Sequence, residues 1–329
     1  MKYYKKNSNN KITCLLCRHY CELKEGQVGI CGINKNENGE LKTLVYGHPV
    51  ALNIDPIEKK PLYHVLPNSK VLSFGTVGCN FQCPFCQNWN ISQEKNIDKS
   101  IKINPKEMVN LALEHKCGSI AYTYNEPTIF YSYAKDIGVI AKERGFKNIF
   151  VSNGFETPEV IKDMASWLDA ANIDLKSWNS EYYKKVLKGG LESVKESLKM
   201  MLDEGIWVEI TTLLIEGVND SDEEIEKSAL FIAENLGKHV PWHLSAFHPD
   251  YKMNEHQSTT MQTLQRAYKI AKNAGLYYVY LGNTLVDIDT YCPDCGELLI
   301  ERKGFGVTLN TLKEGHCPKC DREIEGIWR

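Results

Sequence analysis

The chain has 329 residues, 43% of them apolar, and its 42 acidic and 39 basic side chains leave a net charge of −3. This is the composition of a globular protein with a real core, not of a disordered chain, in one large domain or two ordinary ones. No run of about 18 apolar residues marks a membrane span, the first residues carry no apolar secretory core, and the charge balance gives no case for bulk nucleic-acid binding, so the chain reads as cytoplasmic.

Twelve cysteines in a reducing compartment point to metal sites rather than disulfides. They come in three groups, with Cys117 alone between the second and third. Residues 1–70 form a cysteine-rich extension. In it Cys14-x2-Cys17-x3-Cys21-x9-Cys31 offers a closed set of four thiolates for zinc or an auxiliary iron–sulfur cluster, with His19 as a substitute ligand. A Gly- and Pro-punctuated stretch follows through Gly47-His48-Pro49 and Asp55-Pro56.

Residues 71–289 alternate strand and helix signals. Val71–Phe74 is a short strand, followed by a helix capped by Asn104 with Pro105 at its first position. Ser119–Tyr124 and a helix over Pro127–Arg144 come next, then the strand Asn148–Ser152 and a helix capped by Thr157. Ala170–Leu175 precedes helices around 180–188 and 191–204. Trp207–Ile215 leads to a helix opened by a Ser221/Glu224 capping box and ending at Leu236. His239–Phe247 is the sixth strand, a helix ends at Gly275, and Tyr277–Leu281 reads as a further short strand. Alternating strands and helices imply parallel pairing with right-handed crossovers. The expected fold is α/β, a partial (βα)6 TIM-like barrel with the N-terminal extension and a C-terminal zinc-ribbon-like module; an open doubly wound sheet is the alternative.

Directly after the first strand, Cys79-x3-Cys83-x2-Cys86 supplies three thiolates. A [4Fe–4S] cluster normally takes four, so one iron is left open to a substrate or cofactor. The position suits this, because a βα barrel presents its reactive groups at the C-terminal ends of its strands. A zinc knuckle borrowing His64 is the plainer alternative. Strand ends add Asn125, Glu126, Ser152, Asn153, Asp174, Lys176, Glu209, Thr211, Thr212 and His243. Residues 290–329 carry Cys292-x2-Cys295 and Cys317-x2-Cys320 with about twenty residues between, the spacing of a zinc ribbon, with a rubredoxin-like iron site as the alternative. Cys117 reads as a buried structural thiol and Tyr122, Tyr124, Tyr131 and Tyr133 as packing.

The cysteine triad, with Phe85 before its last member, resembles the radical S-adenosylmethionine (SAM) signature. Over residues 10–285 the chain resembles relatives of pyruvate formate-lyase activating enzyme, and among them the AmmeMemoRadiSam-system proteins. The resemblance implies a cluster on Cys79, Cys83 and Cys86 that cleaves SAM reductively to a 5′-deoxyadenosyl radical, which takes hydrogen from a substrate. It implies SAM contacts from Phe85, from Asn125 and Glu126 where relatives carry Gly-Gly-Glu, and from Ser152 and Asn153 where activating enzymes carry Asp-Thr-Asn-Gly. Asp174 and Lys176 fall in a similar Asp-Leu-Lys motif, His243 in a Pro-aromatic-His segment, and Leu213, with Thr211 before it, in a strand motif near adenine. Gly26-x2-Gly29-x-Cys31-Gly32 is similar to the N-terminal region of the same relatives. Implied partners are a one-electron reductant such as flavodoxin or ferredoxin and proteins of the Memo and AMMECR types. A glycyl-radical activase is the alternative within the family; a zinc-binding nucleic-acid-modification subunit or scaffold is the alternative outside it.

Overall fold

A computed structural model describes residues 3–284, 286 and 288–329. Its centre is an eight-stranded sheet: β1 (Ala51–Pro56), β2 (Lys70–Gly75), β3 (Ser119–Tyr122), β4 (Lys147–Ser152), β5 (Ala170–Asp174), β6 (Trp207–Leu214), β7 (Trp242–Ala246) and β8 (Val279–Gly282). The strands lie side by side in chain order. β2 through β8 run parallel, and β1 pairs antiparallel with β2. Among the described residues β1 and β8 do not pair, so the barrel is partial. Seven parallel strands are thus present; the last is the short strand expected near 277–281.

Strand β1 carried no sequence signal because Pro49 and Pro56 punctuate it. A strand tolerates proline at its edge or end, and this one lies at the edge of the sheet. The parallel strands are buried on both faces, as a helix-covered sheet requires. Leu72, Phe74, Ile120, Tyr122 and Phe150 pack toward the helices, against Met108, Ile137 and Trp167. Val71, Ala121, Ile149 and Ala170 pack on the other face against Ile57, Leu62 and Val65.

Local chemistry sets the helix starts. Asn104 and Glu107 form a reciprocal capping box with Pro105 at the first position, and Thr157 accepts from the Val160 N–H. The segment from Pro127 begins as a 3-10 turn to Phe130 before the helix Tyr131–Glu143. The expected box at Ser221 is only half formed. Ser221 caps the Glu224 N–H, but the Glu224 carboxylate turns away to accept from the Ser177 hydroxyl at 3.1 Å and the Trp178 N–H at 3.3 Å.

Two small β modules flank the sheet. The N-terminal one has antiparallel strands Tyr4–Lys6, Ile12–Cys14 and Glu22–Leu23 and a hairpin of Asn34–Glu37 with Glu40–Thr43. The C-terminal one joins Thr290–Tyr291, Leu298–Lys303 and Gly306–Asn310. It docks on the segment before β2, where the Leu66 N–H donates to Ile327 O at 2.8 Å and the Ile327 N–H to His64 O at 2.7 Å. Arg302 is fully buried there, donating to Tyr63 O at 2.7 Å and Thr290 Oγ1 at 2.8 Å, with its guanidinium 4.7 Å over the Tyr63 ring. Arg302→Ala takes the donor from the buried Tyr63 carbonyl and one partner from Thr290 Oγ1. Chemical denaturation is expected to show a loss of about 3 kcal/mol of stability, whereas an unchanged midpoint would mean the module is only loosely attached.

Candidate active site and metal centres

The loop after β2 carries the cysteine triad and is held from behind by Asn125. The Asn125 amide donates to Gly78 O at 2.8 Å and Thr76 Oγ1 at 3.1 Å, and its Oδ1 accepts from the Thr76 N–H at 3.1 Å. Gly78 has φ +90°, and a Cβ there would lie 2.5 Å from the Cys31 carbonyl oxygen, so only glycine lets the two loops touch. The Phe81 N–H points at Cys79 Sγ at 3.4 Å, and Cys86 Sγ lies 3.3 Å from Ser92 Oγ. Burial pushes the Cys79 thiol well above its ordinary pKa. Burial likewise takes Cys83 up to about 12, with the Lys176 charge opposing. Lys176 reaches Asp174 at 2.8 Å and lies 5.8 Å over the Phe85 ring. Burial works against its charge, but Asp174 and the Cys83 sulfur outweigh that and raise its pKa.

Buried thiols of this kind ionise only for a metal. The donor set fits a cluster with one open iron: three sulfurs on one loop, with N–H and hydroxyl groups beside them. His64 is no fourth ligand, because its Nδ1 contacts Glu325 O and its Nε2 the Tyr280 hydroxyl, each at 2.7 Å.

Glu126, Ser152 and Asn153 meet beside this loop. One Glu126 oxygen accepts from the Ser152 hydroxyl at 2.9 Å and the Thr128 hydroxyl at 2.6 Å; the other accepts from the Asn153 N–H at 2.8 Å. Asn153 in turn donates to Asn80 Oδ1 at 2.8 Å, next to Cys79. Glu156, absent from the sequence reading, shares the Ser152 and Thr128 hydroxyls with Glu126. Tyr124 occupies the left-handed region at φ +69°, a conformation that favours glycine. Here its hydroxyl donates to Asp55 Oδ2 at 2.7 Å, Lys60 bonds the same carboxylate at 2.7 Å, and the Lys60 ammonium lies 4.5 Å over the ring. Asp55 and Lys60 lie on and beside the unsignalled edge strand, so nothing in the pattern linked them to Tyr124.

The register puts Asp174, Thr211 and His243 in one cross-strand row and Leu213 beside Ser245. Thr211 donates to Asn172 Oδ1 at 2.8 Å. Thr212 belongs to the opposite face, where it accepts from the Trp242 indole at 2.9 Å. His243 Nε2 lies 2.6 Å from Glu209, and its ring meets Tyr63 edge-on at 4.6 Å. Glu209 also accepts the N–H groups of Tyr63 at 3.0 Å and His64 at 2.8 Å. This network joins the sheet to the C-terminal module, and among the described residues no hydrogen bond links it to the cysteine triad.

All twelve cysteines are free. In the C-terminal set Cys292 and Cys320, and Cys295 and Cys317, have sulfurs 3.6 Å apart, and all four lie within 4.8 Å of one another. Cys14, Cys17, Cys21 and Cys31 line one cavity with His19, whose Nε2 is spent on Asn80 O at 2.9 Å. Cys117 is buried, and Tyr122, Tyr131 and Tyr133 pack in the core with their hydroxyls bonded to Asn148, Asp163 and Ile103 O.

Burial, then the Glu156 charge, raises the Glu126 pKa from 4.5 to about 7. A carboxyl raised on folding stabilises the fold below its ordinary pKa and loses that contribution as pH climbs through the folded value. Stability should therefore fall between about pH 4.5 and about pH 7. Glu156→Gln removes the like charge and keeps an acceptor, and is expected to flatten that fall by on the order of 1–2 kcal/mol in melts across this range. An equally steep fall in the variant would contradict the electrostatic link between Glu156 and Glu126.

The sequence profile of the Radical SAM superfamily matches residues 74–231. An uncharacterized protein of Methanocaldococcus jannaschii, MJ0808, is 41% identical over 328 residues, 98% of each chain. A putative glycyl-radical enzyme activating enzyme of the same organism, MJ1632, is 30% identical over 169 residues, 48% of this chain and 61% of that protein. Among solved structures, Streptococcus suis SuiB bound to S-adenosylmethionine matches with a TM-score of 0.54 at 12% identity, over 69% of this chain and 53% of that one, a likeness of fold alone. With the cysteine loop after the first parallel strand and the profile match across it, the chain belongs to the radical SAM superfamily.

Proposed function

We propose that Cys79, Cys83 and Cys86 hold the [4Fe–4S] cluster of this radical SAM enzyme and leave its fourth iron open to SAM. The observation that carries the reading is a loop of three free thiols, with His64, the fourth ligand the sequence offered, bonded through both ring nitrogens elsewhere. When bound, cluster and SAM supply one-electron cleavage of the sulfonium and a 5′-deoxyadenosyl radical that abstracts hydrogen.

The chain's own residues then orient and shield. Asn125 fixes the loop backbone, and Asn153 and Asn80 brace its first cysteine. Glu126 and Ser152 support that brace rather than facing outward. Asp174 and Lys176, with Phe85 beside them, are the polar pair best placed to meet the charged end of SAM. Thr211 and Leu213 line the same strand ends. His243 acts at a distance, through the Glu209 network. Buried aromatic and aliphatic packing behind the loop keeps water from a reactive intermediate.

Radical SAM enzymes need a one-electron reductant; a flavodoxin or ferredoxin is the donor proposed here. The C-terminal four-cysteine set is assigned one tetrahedral ion, since sulfurs at a metal–S length of about 2.3 Å stand about 3.8 Å apart, close to the 3.6 Å found, and its paired Cys-x2-Cys spacing makes zinc the ion proposed. Free cysteines throughout suit the cytoplasm. The similarity to MJ1632 favours a glycyl-radical activase as the second reading; partners of the Memo and AMMECR types rest on the family resemblance alone.

Anaerobically reconstituted, dithionite-reduced protein mixed with SAM is expected to form 5′-deoxyadenosine, and the Cys79→Ala/Cys83→Ala/Cys86→Ala variant none above background. No product from protein with a full, reduced cluster would overturn the reading. Metal analysis should find about one zinc per chain, lost in Cys292→Ser/Cys295→Ser; iron in its place would reassign that module.

A further inference from the structure

The N-terminal cysteines have no part in the reading above, yet their placement is specific. Cys14 ends a strand, Cys17 forms an isolated bridge with Glu156, Cys21 precedes the strand Glu22–Leu23, and Cys31 precedes the hairpin. All four converge on one cavity whose other walls are largely apolar, among them Leu16, Leu23, Ile30 and Ile129. Cys14, Cys17 and Cys31 are 7–9% exposed, and none of the four is in a disulfide. The loops aim N–H groups at the sulfurs: the Asn34 amide lies 3.5 Å from Cys31 Sγ, and the backbone N–H groups of Leu16 and His19 reach Cys14 and Cys17. Such donors stabilise thiolates and tune the potential of a cluster.

Spacing then separates the metals. Among the described residues only the C-terminal set brings three or more Cys, His, Asp or Glu ligand atoms within 4.8 Å of one another. No three of Cys14, Cys17, Cys21 and Cys31 do so, although all four line one cavity. Four thiolates sharing one ion must stand about 3.8 Å apart. Thiolates that each bind a different iron of a cluster stand farther apart. Cys79, Cys83 and Cys86 likewise form no such compact group. One molecule thus holds two spacing classes, and the N-terminal set falls with the triad rather than with the zinc set.

We propose that Cys14, Cys17, Cys21 and Cys31 hold a second, fully ligated [4Fe–4S] cluster, set directly against the loop of the first. The contact is a backbone one: the Cys31 carbonyl lies against Gly78, His19 bonds Asn80 O at 2.9 Å, and Cys31 and Cys79 line one small cleft. The comparison with the triad rests on the cluster reading of that loop, but the contrast with the C-terminal set does not.

The test uses the full chain, purified anaerobically and reconstituted with iron and sulfide. The Cys79→Ala/Cys83→Ala/Cys86→Ala variant should keep about four irons and, once reduced, the electron paramagnetic resonance signal of a cluster. Adding Cys14→Ser and Cys17→Ser should remove both, with circular dichroism confirming the fold. If the combined variant does not fold, wild type and triple variant together decide: about eight irons falling to about four support the second cluster, and about four falling to none overturn it. A triple variant that folds but carries zinc and no iron, or no metal at its N-terminal thiols, also overturns it. A triple variant with as much iron as wild type would instead count against the triad, so the two claims fail separately.

Discussion

Burying thiols that must become thiolates is the constraint around which this molecule is arranged. In a dry setting each of Cys79 and Cys83 holds its proton, and only a metal centre makes the ionised form stable. The loop therefore has to be fixed before the centre is loaded, since three sulfurs on a floppy segment would not define one open position. Asn125 does this with a single side chain, bonding the backbone at Thr76 and Gly78 from the end of the neighbouring strand. Lys176 adds a partly buried positive charge beside Cys83, itself balanced by Asp174.

The two accessory modules attach in different ways. The N-terminal module touches the triad's loop through Cys31, His19 and Gly78, where a close approach excludes any side chain. The C-terminal module grips the sheet at a distance, through Arg302, His64 and the Glu209–His243 pair. A buried carboxylate with four donors and a buried guanidinium with carbonyl partners are costly to assemble but specific once formed. They fix how the last strands meet the segment ahead of β2.

Much of this was legible in the residues, and the exceptions have physical causes. The parallel strands were readable because buried β strands are apolar runs between helix caps, and the caps at Asn104 and Thr157 formed as their residue types dictate. The cysteine triad was readable because its spacing is itself the ligand geometry. Strand β1 was hidden by its prolines, and with it the Asp55–Lys60–Tyr124 cluster. The half-formed box at Ser221 depends on Ser177 and Trp178, far away in sequence. Asn125 and Glu126 carried a motif, but only the fold reveals that their polar atoms are spent on the protein itself. Glu156 had no signal at all, since a lone Glu near a helix start is ordinary.

The most direct test of the account is the electron paramagnetic resonance spectrum of the reduced protein with and without SAM, taken in a variant lacking Cys14 and Cys17 so that only the triad contributes iron. An iron open to SAM predicts a clear change in the cluster signal on SAM addition. A reduced cluster whose spectrum ignores saturating SAM would mean that its fourth position is closed, and would contradict the account at its centre.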